Sequence, residues 1–268
     1  MLTPRYLFTG DFAPFEGYFR AQPHRERRFR KGEYLWAPGR PFESLYYILS
    51  GVAQTFTAHE NGRRKITSFH GSGTVFPGYH RQDFRIEGAI GTVALSDIRA
   101  LEFTKEQFRL MFESNVPLAA QVVDWYASYI NLLLYETAHQ EYNSTFLKLC
   151  NLLYLLPAQQ AGPDGCVIDM TQDDLADILG VSRVQLTRGL SVLREQGILR
   201  THRGRIEIAD RPALAPVSYT HLDVYKRQPT RCMTRSAVSR SSTSAISRST
   251  TSATPSSNAR WTSSARCC

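Results

Sequence analysis

Thirty residues constrain this chain more than any others: Met170-Thr-Gln-Asp-Asp-Leu-Ala-Asp-Ile-Leu-Gly-Val-Ser-Arg-Val-Gln-Leu-Thr-Arg-Gly-Leu-Ser-Val-Leu-Arg-Glu-Gln-Gly-Ile-Leu199. Thr171 stands where a side-chain oxygen caps a helix, and Asp174 is placed to reach back to the cap. Leu175, Ala176, Ile178 and Leu179 make the inner side of that helix, small Ala176 allowing a close neighbour. Gly180 permits a sharp turn. Ser182 caps a second helix with Leu186, Leu190 and Leu193 inward, and Gly197 ends it. Its outer face shows Arg183, Val184, Gln185, Thr187 and Arg188. From Leu199 to Ile208 the pattern alternates around Arg203-Gly204, as a hairpin does. Cap, glycine, cap and hairpin in this order predict a winged helix-turn-helix.

The charge is polarised accordingly. Asp173, Asp174 and Asp177 load the first helix, whereas residues 183–208 hold six Arg against two Glu. Cations on the second helix and its wing suit phosphate contacts, and neighbouring side chains suit base edges. Double-stranded DNA is the expected partner, through Thr171, Ser182, Arg183, Val184, Gln185, Thr187, Arg188 and Arg203.

Upstream, the pattern changes period. Residues 1–26 are aromatic-rich and accommodate a short helix. From Arg27 to Phe103 come about eight short strands punctuated by turns, with Asn61-Gly62 as the strongest hairpin signal. Strands at this spacing predict a rolled antiparallel barrel. Thr104 caps a short helix. Pro117 opens a long one to about Glu141, with Leu118, Val122, Trp125, Tyr129 and Leu132 in a seam of period 3.5, continued by Glu136 and His139. Leu133 and Tyr126 supply a second flank. One face then suits the barrel and one a partner helix, with the 118–132 seam as the expected homodimer interface. Another helix spans Asn143 to Leu156, and the Gly162-Pro-Asp-Gly165 turn comes after it.

The last segment is of another kind. Residues 229–268 hold 12 Ser, 7 Thr, 6 Arg and 3 Cys, with no Asp, Glu or Lys. Such a composition cannot bury enough apolar surface to offset its ordering entropy. Just before it, Val217-Ser-Tyr-Thr-His-Leu-Asp-Val-Tyr-Lys-Arg-Gln228 can be encoded by DNA that is nearly its own reverse complement. It looks like a translated transposon adapter from a sequencing library, two mosaic ends joined head to head, and the residues after Gln228 are then foreign to the fold. The whole chain of 268 residues carries +8. The six Arg of 229–268 and one net positive charge in 217–228 account for seven of the eight. The basic balance therefore says little about partners, and the nucleic-acid expectation rests on the local polarity of residues 171–208.

The order of parts and several exact strings make the chain resemble the cyclic-AMP receptor protein and fumarate–nitrate regulator family of transcription factors. The strings are Lys31-Gly32-Glu33, Pro38-Gly39, Leu45-Tyr-Tyr-Ile-Leu-Ser-Gly51 and Val181-Ser-Arg-Val-Gln-Leu-Thr-Arg188, and the likeness spans roughly residues 10–210. It implies an α+β architecture: an effector-sensing antiparallel β-roll of the cyclic-nucleotide-binding jelly-roll kind (1–115), a dimerisation helix (116–141) and a winged helix-turn-helix (142–212). Residues 213–268 are expected to form a foreign, disordered tail. It also implies a cytoplasmic homodimer on a near-palindromic operator, with RNA polymerase as a further partner.

Departures from the family pattern matter. Cyclic-AMP binders carry Gly-Glu and Arg-Ser-Ala where this chain has Gly78-Tyr79 and Gly88-Ala89, so a cyclic phosphate loses its arginine partner. The expected effector is a small molecule other than cyclic AMP, aromatic or carboxylate, received by Gly78, Tyr79, His80, Arg81, Trp125 and Tyr129. The iron–sulfur branch needs clustered N-terminal cysteines, but Cys150 and Cys166 lie outside the roll. Val184 stands where many relatives have a cytosine-reading Glu and can touch only a thymine methyl. In this the chain looks most like halorespiration regulators, and it predicts an A/T-richer half-site. A second reading is a haem-based gas sensor of the same architecture, with His80 or His24 as axial ligand and haem as its cofactor. A remote third is a cupin-type metal enzyme, which the spacing of His59, His70 and His80 does not favour. No nucleophile–base pair, phosphate loop or metal site is expected, and no apolar run is long enough for a membrane helix.

Overall fold

The computed structural model describes residues 4–82, 84–156, 159–160, 166–211 and 213–214. The roll is two facing sheets. One has the order β1 (Leu7–Phe8), β6 (Arg64–His70), β5 (Ala53–Ala58), β8 (Ile90–Ala94), β3 (Tyr34–Trp36). The other runs β2 (Arg25–Phe29), β9 (Ile98–Thr104), β4 (Ser44–Ser50), β7 (Val75–Phe76). The Asn61-Gly62 turn joins β5 to β6 in an antiparallel hairpin. Among the described strands of the roll, only β1 breaks the antiparallel rule, lying parallel to β6 with Phe8 opposite His70. Phe29, Leu35, Tyr46, Ile48, Ala53, Ala94, Ile98 and Ala100 fill the space between the sheets.

Helix α1 (Glu16–Ala21) packs Phe19 onto the roll. Helix α2 (Lys105–Ser114) starts with a capping box, Thr104 and Gln107 satisfying each other's backbone N–H. Helix α3 (Val116–Tyr142) is capped by Asn115, whose Oδ1 accepts from the Leu118 N–H at 3.1 Å. Helix α4 (Thr145–Leu155) begins after Ser144.

Helix α3 corrects one expectation. The seam Leu118, Val122, Trp125 and Leu132 is buried by the chain itself, with Tyr129 packed against it, so it is not open to a partner. The physical reason is that the roll needs a lid, and the largest side chains of the helix supply it. The opposite face carries a second seam, Val116, Ala120, Val123, Ala127, Ile130, Leu134 and Thr137, every one exposed. It repeats with the same 3.5-residue period.

The C-terminal unit holds α5 (Gln172–Leu179), α6 (Arg183–Glu195) and a sheet β10 (Gln159–Gln160), β11 (Cys166–Ile168), β13 (Arg205–Ile208), β12 (Leu199–His202). The wing hairpin is present as expected; β10 and β11 were not anticipated. Gly180 closes α5 at φ +66°, the left-handed conformation that costs other residues dearly. Gly189 lies mid-helix where a Cβ would come within 2.8 Å of Leu149 Cδ2, so α4 and α6 meet closely because this residue has no side chain. Leu214 is fully buried and its N–H bonds to the Asp210 carbonyl at 3.3 Å. The fold therefore continues two residues into the segment assigned to the tail. The Gly162–Gly165 turn and residues 215–268 lie outside the described residues.

Candidate nucleic-acid interface and sensory site

The recognition surface is built on α6. Leu186, Leu190 and Leu193 anchor it inward, leaving Arg183, Val184, Thr187 and Arg188 on the open side with Ser191, Val192 and Glu195. Ser182 and Gln185 form a capping box: Ser182 Oγ accepts from the Gln185 N–H at 3.3 Å, and Gln185 Oε1 accepts from the Ser182 N–H at 3.0 Å. Thr171 and Asp174 do the same for α5, at 3.1 and 3.3 Å. Three of the residues expected at DNA, Thr171, Ser182 and Gln185, thus already hold helix ends. Their side-chain oxygens serve the fold first.

The cations divide likewise. Arg183 pairs with Asp173 at 3.2 Å, Arg205 with Asp169 at 3.0 Å and Arg200 with Glu207 at 3.5 Å. These are exposed pairs, each worth little. Among the described residues, Arg188 on the helix and Arg203 at the wing tip have no ion-pair partner. They are the side chains free to reach a phosphate or a base edge without first breaking a contact. Val184 is 60% exposed, an apolar side chain on an otherwise polar face.

The six residues expected at the effector do not converge. Gly78 lies directly beneath α3, where a Cβ would meet Trp125 at 2.6 Å and Tyr126 Oη at 2.7 Å. The Tyr79 ring turns into the core against Phe108 and Phe112, and its carbonyl accepts from Tyr126 Oη at 3.1 Å. His80 is sandwiched between Phe42 and Phe84, with ring centroids 4.6 and 4.7 Å away. Its Nδ1 lies 2.7 Å from the Gln82 carbonyl and its Nε2 3.0 Å from Glu87 Oε1. Arg81 points outward to Glu113 at 3.0 Å. Trp125 and Tyr129 stay together, stacked at 5.3 Å and 9°, with Gly78 against Trp125.

What lies beside that stack was missed by the sequence reading. His70 is wholly buried, its ring 3.7 Å from Phe76 and 6.2 Å from Trp125 between centroids. Its Nε2 meets Ser68 Oγ at 3.0 Å, while Nδ1 has no hydrogen-bond partner, and neither does Trp125 Nε1. Burial holds the imidazole well below its ordinary pKa, so the ring is neutral. Thr55 faces Thr92 at 3.2 Å and stands opposite Ser68 in the sheet register. The roll therefore carries a buried polar patch, Thr55, Ser68, His70 and Thr92, on three adjacent strands. The buried polar and charged side chains are Gln54, Thr55, Ser68, His70, Thr74, Glu87, Thr92 and Asn151, with no Lys or Arg among those described. The signal was available: Ser68 and His70 share the inward face of β6 with Ile66 at period two.

The same geometry weighs on the alternatives. His80 lies between two phenyl rings with Nδ1 against the Gln82 carbonyl, and His24 Nδ1 is 2.7 Å from the Gln22 carbonyl. The packing of His80 between two rings does not suit a haem axial ligand. Among the described residues no three His, Cys, Asp or Glu side chains gather as a cupin metal would require. Burial pushes the Cys150 thiol up to about 12, which makes it an unreactive core residue.

Comparison with known proteins agrees with this layout. Residues 26–115 match the model of the cyclic nucleotide-binding domain, and residues 147–217 match that of the Crp-like helix-turn-helix domain. The cyclic AMP receptor protein of Thermus thermophilus is 24% identical over 221 residues, 80% of this chain and 96% of that protein. The structure of FixK2 from Bradyrhizobium japonicum is similar at TM-score 0.63 and 21% identity, covering 73% of this chain and 97% of its own. OCPA-complexed CprK is similar at TM-score 0.59 and 18% identity, covering 78% and 98%.

Proposed function

The chain belongs to the Crp/Fnr family of DNA-binding transcription regulators with an effector-binding domain, and from that premise we propose that it works as a homodimer controlled by an uncharged, planar small molecule rather than by cyclic AMP. One observation carries the choice of effector: the roll's buried polar side chains include no cation, while His70 Nδ1 and Trp125 Nε1 stand unpartnered beside stacked aromatic rings. Burying a phosphate there without an arginine costs several kcal/mol. A neutral ring that offers an acceptor to the indole N–H answers the same surroundings at no such cost.

The homodimer is inferred from the exposed 3.5-residue seam of α3, Val116 to Thr137, which two copies would bury against each other. The mechanism is a population shift. An effector lodged between the roll and the Trp125 side of α3 changes how the two helices meet and so where the two recognition helices stand, one helical turn apart on the operator. At the base edges Val184 favours a thymine methyl, so the half-site is A/T-richer than one read by a glutamate at that position.

A thermal-shift series on the chain tests the effector class. Cyclic AMP is expected to leave the melting midpoint unchanged, and neutral aromatic compounds are expected to supply the hits. A saturable rise with cyclic AMP at micromolar concentration would overturn the proposal.

A further inference from the structure

Strand β6 has two ends with different neighbours. Its last residues, Ser68 and His70, belong to the buried patch of the roll. Its first two, Arg64 and Lys65, grip the helix-turn-helix. Arg64 Nε is 2.6 Å from Asp177 Oδ2, and Nη2 is 3.2 Å from Asp174 Oδ1, so one guanidinium bridges two carboxylates on α5. Lys65 Nζ donates to Glu136 Oε2 on α3 at 2.7 Å and to the Ile178 carbonyl in the last turn of α5 at 2.9 Å. The other oxygen of Glu136 accepts from the hydroxyl of buried Tyr6. On α3, one turn on, Gln140 Nε2 donates to the Leu179 carbonyl at 3.3 Å.

Each contact alone is modest, since Arg64 is exposed and such pairs are weak singly. Together they are a network with partly buried members, and they fit α5 chemically. A cation at the C-terminal carbonyls of α5 answers its dipole, and the guanidinium offsets two of its three acids. Only three residues separate α5 from α6, so whatever fixes α5 fixes the recognition helix. A paired β strand is also stiff along its length, and the five steps from Lys65 to His70 span about 17 Å.

We propose that β6 is a direct line from the sensory patch to the DNA reader, running beside the route through α3, and that Arg64 and Lys65 are positioning residues that set the pose of the helix-turn-helix. The proposal rests on the DNA-binding reading. A restraint on pose matters when two recognition helices must fit two half-sites at once; it matters far less when only one is engaged.

The test uses the full chain and an operator obtained by selection from random duplexes, with fluorescence anisotropy on a two-half-site duplex and a one-half-site duplex. The variants are Arg64→Ala, Lys65→Met and the charge swap Arg64→Asp with Asp177→Arg. The single variants are expected to change affinity for the two-half-site duplex by about tenfold or more in either direction. Affinity for the one-half-site duplex should move by less than about twofold, and the swap should recover most of the loss or gain caused by Arg64→Asp alone. Unchanged affinity on both duplexes, equal changes on both, or a swap that recovers nothing would overturn the proposal. A parent chain that binds neither duplex would overturn the DNA-binding reading, and this proposal with it.

Discussion

Helices α3 and α6 each have one face covered by the chain and one left open, yet only α6 announces which is which. On α6 the covered residues are leucines and the open ones are Arg183, Thr187 and Arg188, with Val184 among them. Burying an unpaired guanidinium costs far more than exposing a leucine, so charge marks the solvent side. On α3 both faces are apolar and both repeat every 3.5 residues. Trp125, Tyr129 and Leu132 make the first seam look like the stronger interface, but the roll covers it. The open seam sets Ala120 and Ala127 among Val116, Val123, Ile130 and Leu134, which lowers its apparent hydrophobicity while leaving room for close helix approach. Periodicity finds a face; it does not name the occupant.

The largest effects expected on α3 separate the two seams. Trp125→Ala empties a buried site against Phe8, Phe76 and Tyr129, and should lower unfolding free energy by about 3–5 kcal/mol. Urea unfolding of the chain measures it, and a loss near zero would return this seam to the surface. Ile130→Glu changes a residue 51% exposed and should leave that unfolding baseline nearly unmoved at low concentration. It places two like charges across the proposed dimer, costing about 3 kcal/mol or more, roughly a hundredfold in dimer affinity. Light scattering should read a monomer. A stable dimer in Ile130→Glu would give the homodimer a different surface.

On α6 the comparison predicts a smaller, sequence-specific effect. Arg188 has no ion pair to lose, so Arg188→Ala should leave the melting midpoint in place and cost about 1–3 kcal/mol on the selected operator. Binding to random duplex should change far less. Equal losses on both would make Arg188 a phosphate contact rather than a base reader.

The DNA-reading half was legible because its devices are local. Thr171 with Asp174, the Gly180 turn and the Gly204 wing tip are decided within a few residues of each other, and all are present where the residue pattern places them. The capping box also explains a limit: Gln185 looks like a base reader in sequence, but its carboxamide oxygen is committed to Ser182. The sensory half was less legible because its contacts are distant in sequence. His70 meets Phe8, Phe76 and Trp125, three residues from three different elements, and Arg64 meets Asp174 and Asp177 more than a hundred residues on. The 78–81 loop was read as one site because its residues are adjacent; the backbone turns Tyr79 inward, locks His80 between rings and sends Arg81 out.

The smallest predicted effect probes how dry the inner side of α3 is. His70 packs against Trp125 with its pKa held well below 6.5 by burial alone. A histidine depressed in the folded state is neutral there, while the unfolded chain takes up a proton as pH falls through about 6.5. The unfolded state then binds more protons, so stability falls with falling pH, by up to about 1.4 kcal/mol per pH unit between the unfolded and folded pKa values. His70→Phe removes this one proton while keeping a ring against Phe76. Urea unfolding at pH 7.5, 6.5 and 5.5 should show the parent losing stability relative to His70→Phe across the lower two values. Parallel curves would mean that His70 protonates in the folded chain, that water reaches the inner seam, and that the covered and open faces of α3 differ less than their burial implies.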